Sequence, residues 1–406
     1  MIFLFIFIVF YFCHPYNLFW STENISSLQE TEDLLYVTTG SIVRKIALVA
    51  LGLFAVCLIL FTKKRDLVHF WALSFVVIFF ICWAWMSLLW SGDASFTFRR
   101  LTVLSVLWLS ATCFGYYLSL REIVKLIVFI GLTTLLISIT SEIISGLFHP
   151  LVFDYRFAGV MHPNAQAINC GLLLVALVCL YKLTFSVSRW WYICLALMAL
   201  TFLILTKSRT GLIAALIANA FFLIITLKKR KRALILSLIC FLSSLLGLLG
   251  FFILDEQALG SIRNIILLGR VTDIATFTGR VPMWMTLITY IAQRPILGYG
   301  YNSFWTAERM SDIMISEGSW AASAHSSYIN IALGLGLIGL MNFLLILFFA
   351  FLRSMLLFKK RQDVTLIFSA ASILLVCISM VFETIWFQPY IFSFLGMIIL
   401  AKICVL

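Results

Sequence analysis

Long apolar runs separated by short polar connections dominate this chain. A helix needs about 20 apolar residues to cross roughly 30 Å of hydrocarbon, and the alternating ten-residue pattern of a membrane β-barrel does not occur. The pattern therefore predicts an all-α polytopic membrane protein with about 12 transmembrane helices. The runs lie at 1–20, 42–62, 69–90, 101–120, 126–146, 167–181, 190–206, 212–227, 233–254, 324–350, 364–386 and 388–404.

One long polar interval, residues 255–323, interrupts this pattern. It divides the chain into transmembrane helices 1–9 (1–254), a loop with short helices (255–323) and transmembrane helices 10–12 (324–406). Nearly all the rest of the chain is apolar, so this interval is the main candidate for a reaction site outside the lipid. The first run has no basic start and no small-residue cleavage site, so we expect a retained helix rather than a signal peptide.

Composition excludes a soluble protein. The chain is 63% hydrophobic and 11% charged, whereas soluble domains carry about 25% charged residues. Its ten cysteines all lie in apolar runs without Cys-x-x-Cys spacing, which is typical of small buried side chains rather than ligands or disulfides.

Assigning alternate connections to opposite sides of the membrane separates the charges. One side holds 17 of the 29 basic residues and three acids, and the other holds 12 basic residues and 14 acids. Because cytoplasmic loops carry an excess of Lys and Arg, both termini are predicted inside and 255–323 outside. A nucleic-acid or anionic-lipid patch at Lys228–Arg232 is the alternative interpretation of the net charge. The predicted cytoplasmic basic residues are Lys63, Lys64, Arg65, Arg121, Lys125, Lys182, Arg189, Lys228–Arg232, Arg353, Lys359, Lys360, Arg361 and Lys402.

Three side chains on the predicted outer face are candidates for chemistry. Arg209 stands in a short polar turn between two apolar runs, and Arg280 precedes a predicted helix carrying Met283, Trp284, Leu287 and Ile288 on one face. A guanidinium binds phosphate through a fixed fork of donors, although either arginine also fits a merely interfacial or solvated residue. His325 precedes an apolar helix, whose positive end favours a neutral, base-competent imidazole; an interfacial histidine is the alternative.

Several energy-coupling and metal motifs are absent from the sequence. It has no Gly-x-x-x-x-Gly-Lys-Ser/Thr, Asp-x-Asp, His-Glu-x-x-His or Gly-x-Ser-x-Gly. Their absence gives no indication of an ATP site, a metal-nucleotide-sugar site, a zinc hydrolase or a nucleophile elbow. We therefore expect no cofactor and no metal.

Taken together, the motifs resemble the O-antigen ligase and polysaccharide polymerase superfamily. The similar segments are Arg156–Gly159 with His162–Asn164, Lys207–Gly211, Thr278–Trp284, Pro295–Gly300 with Asn302 and Phe304, and Ala324–Tyr328 through Gly334–Gly339. The sequence departs from the family pattern at Ser326, where asparagine is usual, and at Gly334, where an acidic residue is frequent.

The resemblance implies a GT-C-like glycosyltransferase of the bacterial inner membrane. Such an enzyme takes a glycan from undecaprenyl diphosphate at the periplasmic face without a metal. By resemblance, Arg209 and Arg280 bind the diphosphate, His325 activates the acceptor hydroxyl, and Arg156 and Asn164 are further substrate contacts. The implied partners are the lipid-linked glycan, an acceptor glycan, membrane lipid, and polysaccharide chain-length or export proteins, with no nucleic acid.

The sequence is compatible with three functions. The Gly298–Trp305 run with His325–Tyr328 looks most like exopolysaccharide polymerases, which favours a polymerase over a ligase acting on lipid A core. A transporter or flippase is the third possibility. A transporter is expected to carry polar or charged residues inside several spans, forming a path through the membrane. Here Glu142 and Glu383 lie near the predicted outer ends of their spans instead.

Overall fold

The computed structural model of the chain describes residues 42–61, 71–152, 155–184, 189–227, 280–317, 323–385 and 391–406. The predicted spans 1–20 and 233–254 lie outside these residues. Within the described ranges the chain forms helices and no strand, as predicted. The helices are α1 Ile42–Phe61, α2 Trp71–Met86 with a 3-10 turn at Ser87–Trp90, α3 Ala94–Tyr117, α4 Leu120–Ile144, α5 Pro163–Leu183, α6 Arg189–Leu205, α7 Arg209–Thr226, α8 Arg280–Gln293, α9 Ala307–Glu317, α10 Ser327–Arg361, α11 Val364–Phe382 and α12 Ile391–Cys404.

The described helices include six that are long and apolar enough to cross a membrane: α2 with its 3-10 turn, α4, α5, α7, α10 and α11. Shorter apolar stretches lie within α1, α6 and α12. Helix α5 is the most enclosed of these six, since nearly every residue from Pro163 to Leu180 is buried. It lies against α4, α6, α7 and α11, and the protein is therefore a multi-pass membrane protein built around this helix.

Charged residues separate between the two ends of the helix bundle. Arg121 starts α4, Lys182 ends α5, and Arg361 ends α10, where its Nη2 donates to the carbonyl of Leu406 at 2.9 Å. We call this the basic end. At the opposite end, which we call the site end, Glu142 closes α4 and Glu383 follows α11. The predicted grouping of the charges is thus confirmed for these residues.

Helix α10 is broken where the segment Pro295–Gly300 inserts into it. Its 35 residues would extend about 52 Å if straight, but Gly336 has φ +67° and ψ −171°. The carbonyls of Leu333 and Gly334 accept from the N–H groups of Tyr299 and Gly300 at 2.8 and 2.9 Å. A Cβ on Gly336 would lie 2.0 Å from the carbonyl oxygen of Ile296.

The break corrects one sequence expectation. From the sequence, Gly334, Gly336 and Gly339 are predicted to let a neighbouring helix pack closely. In the structure, the closest neighbours of Gly334 and Gly336 are instead the backbones of Gly300 and Ile296. Two further bonds complete the junction, because Leu337 N–H donates to the Pro295 carbonyl at 2.7 Å and Trp83 Nε1 to the Leu335 carbonyl at 3.0 Å. Polar backbone freed inside an apolar helix is thereby paired, as burial requires.

A second, smaller hydrophobic cluster covers the site end. It joins α8, α9, the 299–305 segment and the start of α10 through Met283, Leu287, Tyr299, Phe304, Ile313, Ala324 and Leu333. Met283 and Leu287 face it as predicted, whereas Ile288 is 56% exposed and points away. This cluster fixes α8, and with it Arg280, against α10.

Candidate functional site

Arg280 is the first residue of α8 and reaches the residues that follow α11. Its Nη2 lies 3.2 Å from Glu383 Oε1, and its Nη1 donates to the carbonyl of Phe382. The side chains of Arg280 and Glu383 are 17% and 15% exposed. Pro282, the third residue of α8, suits the first turn, where a missing N–H costs no helical hydrogen bond. The predicted helix start at Arg280 is confirmed.

Glu383 connects Arg280 to a second arginine. Asn164 Nδ2 donates to the same Glu383 Oε1 at 2.5 Å, and Arg156 Nη2 donates to Asn164 Oδ1 at 2.5 Å. Arg156 Nε also donates to the carbonyl of Thr206 at 2.9 Å. Burial raises the pKa of the Glu383 carboxyl, and the charge and hydrogen bond of Arg280 oppose this increase. The two predicted substrate contacts, Arg156 and Asn164, therefore belong to one polar network with Arg280.

Arg209 begins α7 at the same end of the bundle. It lies three residues after Thr206, whose carbonyl binds Arg156. The helix start is fixed because Ser208 Oγ accepts from the Gly211 N–H at 3.4 Å, and because a Cβ on Gly211 would meet Ala167 of α5 at 2.5 Å. Arg209 is thus positioned by the α5–α7 junction.

His325 lies two residues before α10 in a left-handed conformation, with φ +46°. This conformation is uncommon for a residue with a side chain and is enriched at functional sites. The side chain is exposed at the protein surface, yet surrounding protein atoms still desolvate it. That desolvation, followed by the charge of Arg280, lowers the pKa of His325 to about 4. This direction agrees with the predicted neutral imidazole, but its causes are desolvation and Arg280 rather than the end of the helix.

Trp284 connects the backbone next to His325 with Phe382, whose carbonyl accepts from Arg280. Trp284, one turn after Arg280, donates from Nε1 to the carbonyl of Ala324 at 2.8 Å. Its ring lies 5.9 Å from that of Phe382. One indole therefore contacts the residue before His325 and the residue before Glu383.

Asn330 makes a second connection in the first turn of α10. Its Oδ1 accepts from Trp305 Nε1 at 3.0 Å, and its Nδ2 donates to Thr384 Oγ1 at 2.9 Å. Ser327 Oγ donates to the Glu383 carbonyl at 2.8 Å. These bonds fix the start of α10 to the segment after α11, so His325 and Glu383 are presented by one rigid junction.

A buried carboxylate positions the loop that carries Arg156. Glu142 is 6% exposed, and its Oε1 accepts from the N–H groups of Ala158 and Gly159 at 2.8 and 2.7 Å. Its Oε2 accepts from the Tyr155 hydroxyl, an interaction that, together with burial, raises the Tyr155 pKa. Glu142 thus fixes the backbone on both sides of Arg156.

Sequence reasoning missed Glu383 as a site residue. The sequence cue for Glu383 is its position as a carboxylate at the outer end of an apolar span, because ionisable residues in spans are rare and usually functional. The sequence contains no cue that Glu383 would meet Arg280, because the two residues are 103 positions apart.

Comparison with known proteins matches one part of the chain to a family. Residues 193–344 match a family model described as O-Antigen ligase, a range that includes Arg209, Arg280 and His325 but ends before Glu383. No curated protein matches the chain significantly. Residues 193–344 are therefore similar to this family, and the match supports the resemblance to the O-antigen ligase and polysaccharide polymerase superfamily.

Proposed function

We propose that the protein is a polysaccharide polymerase that transfers a glycan from undecaprenyl diphosphate to a sugar hydroxyl of a second carrier-linked glycan. The family supports ligase- or polymerase-type glycosyl transfer. The observation that carries the proposal is the arrangement of Arg280 and His325, because Trp284, one turn after Arg280, donates to the carbonyl of Ala324 next to His325. Desolvation, followed by the charge of Arg280, lowers the His325 pKa. A neutral base beside a guanidinium suits an acceptor hydroxyl attacking a sugar diphosphate.

In the proposed reaction the acceptor oxygen attacks the anomeric carbon of the donor glycan. A new C–O bond forms, and the bond from that carbon to the diphosphate breaks with its electron pair going to the diphosphate. His325 takes the hydroxyl proton as attack proceeds. Arg280 and Arg209 bind the diphosphate and stabilise the charge it gains, in the manner of preorganised donors. The carrier diphosphate is already a good leaving group, so neither nucleotide nor metal is required.

Arg156 and Asn164 have a supporting role in this proposal. Their polar atoms bind each other, Thr206 and Glu383. We assign them to positioning Glu383, which in turn orients Arg280. This fits a site whose first contacts are fixed by a second set of hydrogen bonds.

The test uses full-length protein in lipid vesicles with a carrier-linked repeat unit and no nucleotide. We expect a ladder of chain lengths from the wild type, unchanged by a chelator. Arg280→Ala and His325→Ala should each abolish the ladder while the protein remains inserted and abundant. Arg280→Lys should also be impaired, because a point charge cannot replace the bidentate fork. A normal ladder from either alanine variant would remove that residue from the site.

A ligase is the second candidate, favoured by the description of the matching family model. The same assay separates the two when lipid A core is offered as acceptor. A single transfer to lipid A core, without a ladder, would identify a ligase. Movement of the lipid-linked glycan across the vesicle membrane without either product would identify a transporter instead.

A further inference from the structure

Two adjacent arginines, Arg99 and Arg100, lie in the second turn of α3, away from the network around Arg280. Both guanidinium groups cover the ring of Phe96, with centroid distances of 5.8 and 5.0 Å. Arg99 is exposed and Arg100 half-buried. Arg99 Nε also donates to the Ser95 carbonyl at 3.4 Å. A cation over an aromatic face is partly oriented before any ligand arrives, so Phe96 holds both guanidinium groups close to one ring.

The arginine pair is attached to the same scaffold as the candidate site. The segment before α3 binds the segment after the α10 insertion, since Asp93 N–H donates to Ser303 Oγ at 3.2 Å and Tyr301 N–H to Ser87 Oγ at 2.9 Å. Two residues after Ser303, Trp305 binds Asn330, which contacts Thr384 next to Glu383. The pair and the network therefore lie at one end of the bundle on different helices.

Exposed apolar residues stand along the connection from α2 to the start of α3, where the pair lies, and this favours an amphiphile over a soluble anion. Met86, Leu89 and Phe98 are 49%, 83% and 51% exposed, and the Phe98 ring packs edge-on against Trp85 at 5.7 Å. They lie between the end of the membrane-spanning α2 and the second turn of α3. A lipid with an anionic headgroup would place its charge on the arginines and its chain along these residues.

We infer that Arg99 and Arg100 bind the diphosphate of the acceptor lipid. This inference depends on the proposed polymerase function, in which two carrier lipids are bound at once. The reacting hydroxyl of the acceptor lies on its glycan, and the glycan separates that hydroxyl from its own diphosphate. The acceptor headgroup must therefore be bound away from His325, on another element of the site end. Adjacent guanidinium forks match the oxygens of a diphosphate.

The test counts bound lipids by native mass spectrometry on the full-length protein, with a sugar-free polyprenyl diphosphate as the probe. We expect two bound lipids in the wild type and one in the double variant Arg99→Gln/Arg100→Gln. The double variant should bind the lipid at α3 about 10-fold or more weakly, because charged hydrogen bonds are lost, and that site should therefore be empty at a probe concentration that fills it in the wild type. Arg280→Gln should lose the other lipid. Arg121→Gln removes an exposed arginine from the basic end and should still bind two.

Several results would overturn the inference. Two bound lipids of unchanged affinity in the double variant, or one in the wild type, would exclude a second diphosphate site at α3. Equal displacement of the probe by phosphatidylglycerol would reduce the pair to an ordinary membrane anchor. Because no glycan is transferred, this measurement is independent of the polymerase assay. In that assay, the double variant should raise the KM for acceptor and leave the KM for donor unchanged.

Discussion

Arg280 is held by two oxygen acceptors from the end of α11, the Glu383 carboxylate and the Phe382 carbonyl. The carboxylate also accepts from Asn164, and this second hydrogen bond restrains its position when the Arg280 side chain moves. Because a buried charge is stable only when paired, the network fixes where the guanidinium points before substrate arrives. We infer that Glu383 is a positioning residue for Arg280.

This role predicts a difference between two variants of Glu383. Glu383→Gln keeps an oxygen that accepts from Asn164 and Arg280, whereas Glu383→Ala leaves both donors without it. We expect Glu383→Ala to lower kcat/KM about 10- to 100-fold and Glu383→Gln to recover most of this loss. Glu308→Ala, at an exposed carboxylate of α9, is the control. Equal activity of all three variants in the ladder assay would rule out the positioning role.

The pKa of His325 predicts the pH dependence of transfer. A lowered pKa means that the free imidazole stays neutral until the pH falls to about 4, so kcat/KM should be flat from pH 8 to about 5 and fall below that. A bound diphosphate adds negative charge beside Arg280 and should raise the His325 pKa. The kcat profile reports the complex, and its acidic limb should therefore lie at higher pH than that of kcat/KM. If the acidic limbs of the two pH profiles coincide, the bound diphosphate does not affect the His325 pKa, and the two groups are not neighbours in the complex.

Among the elements, α10 combines two tasks that a straight helix could not perform together. Its stretch after Gly336 is long enough to cross the membrane and ends in the basic residues Lys359, Lys360 and Arg361. The stretch before Gly336 presents Ser327 and Asn330 to the segment around Glu383. The inserted Pro295–Gly300 segment pairs the backbone at the break, so this motif has a structural role.

The break predicts a strong effect of a single methyl group. Gly336→Ala would place a Cβ 2.0 Å from the Ile296 carbonyl oxygen at φ +67°, and we expect a markedly lower Tm in detergent or failure to accumulate. Gly146→Ala has the same φ, +67°, with nothing within 4 Å of the Cβ, and should cost only about 1 kcal/mol. Equal Tm values for the two variants would show that the insertion does not depend on Gly336.

Sequence periodicity predicted the ends of the described spans to within seven residues, because lipid imposes one length and one polarity on every crossing helix. The exception is α10, which ends at Arg361, 11 residues beyond the predicted 350. It also located Arg280 at a helix start. It missed the break at Gly336, since a long apolar run has the same composition whether or not a distant loop enters it. It missed Glu383 as a partner for the same reason: the pairing depends on how α8 and α11 approach, which no local pattern encodes.

Over the whole molecule, the separation of charge between the two ends predicts how the protein lies in the membrane. Basic residues favour the cytoplasmic side, so the site end should face outward. A cysteine introduced at the exposed Glu308 of α9 should react with an impermeant maleimide in right-side-out vesicles. One introduced at the exposed Gln362 of the basic end should react only after permeabilisation.

This orientation decides how the reaction can be driven. Nucleotides are absent outside the cytoplasmic membrane, so a site that faces outward must obtain its free energy from the donor itself, and a carrier diphosphate supplies it. The opposite labelling pattern would place Arg280 and His325 in the cytoplasm, where nucleotide-activated donors compete. It would therefore remove the reason for a lipid diphosphate substrate, whatever the affinity of the two arginines for phosphate.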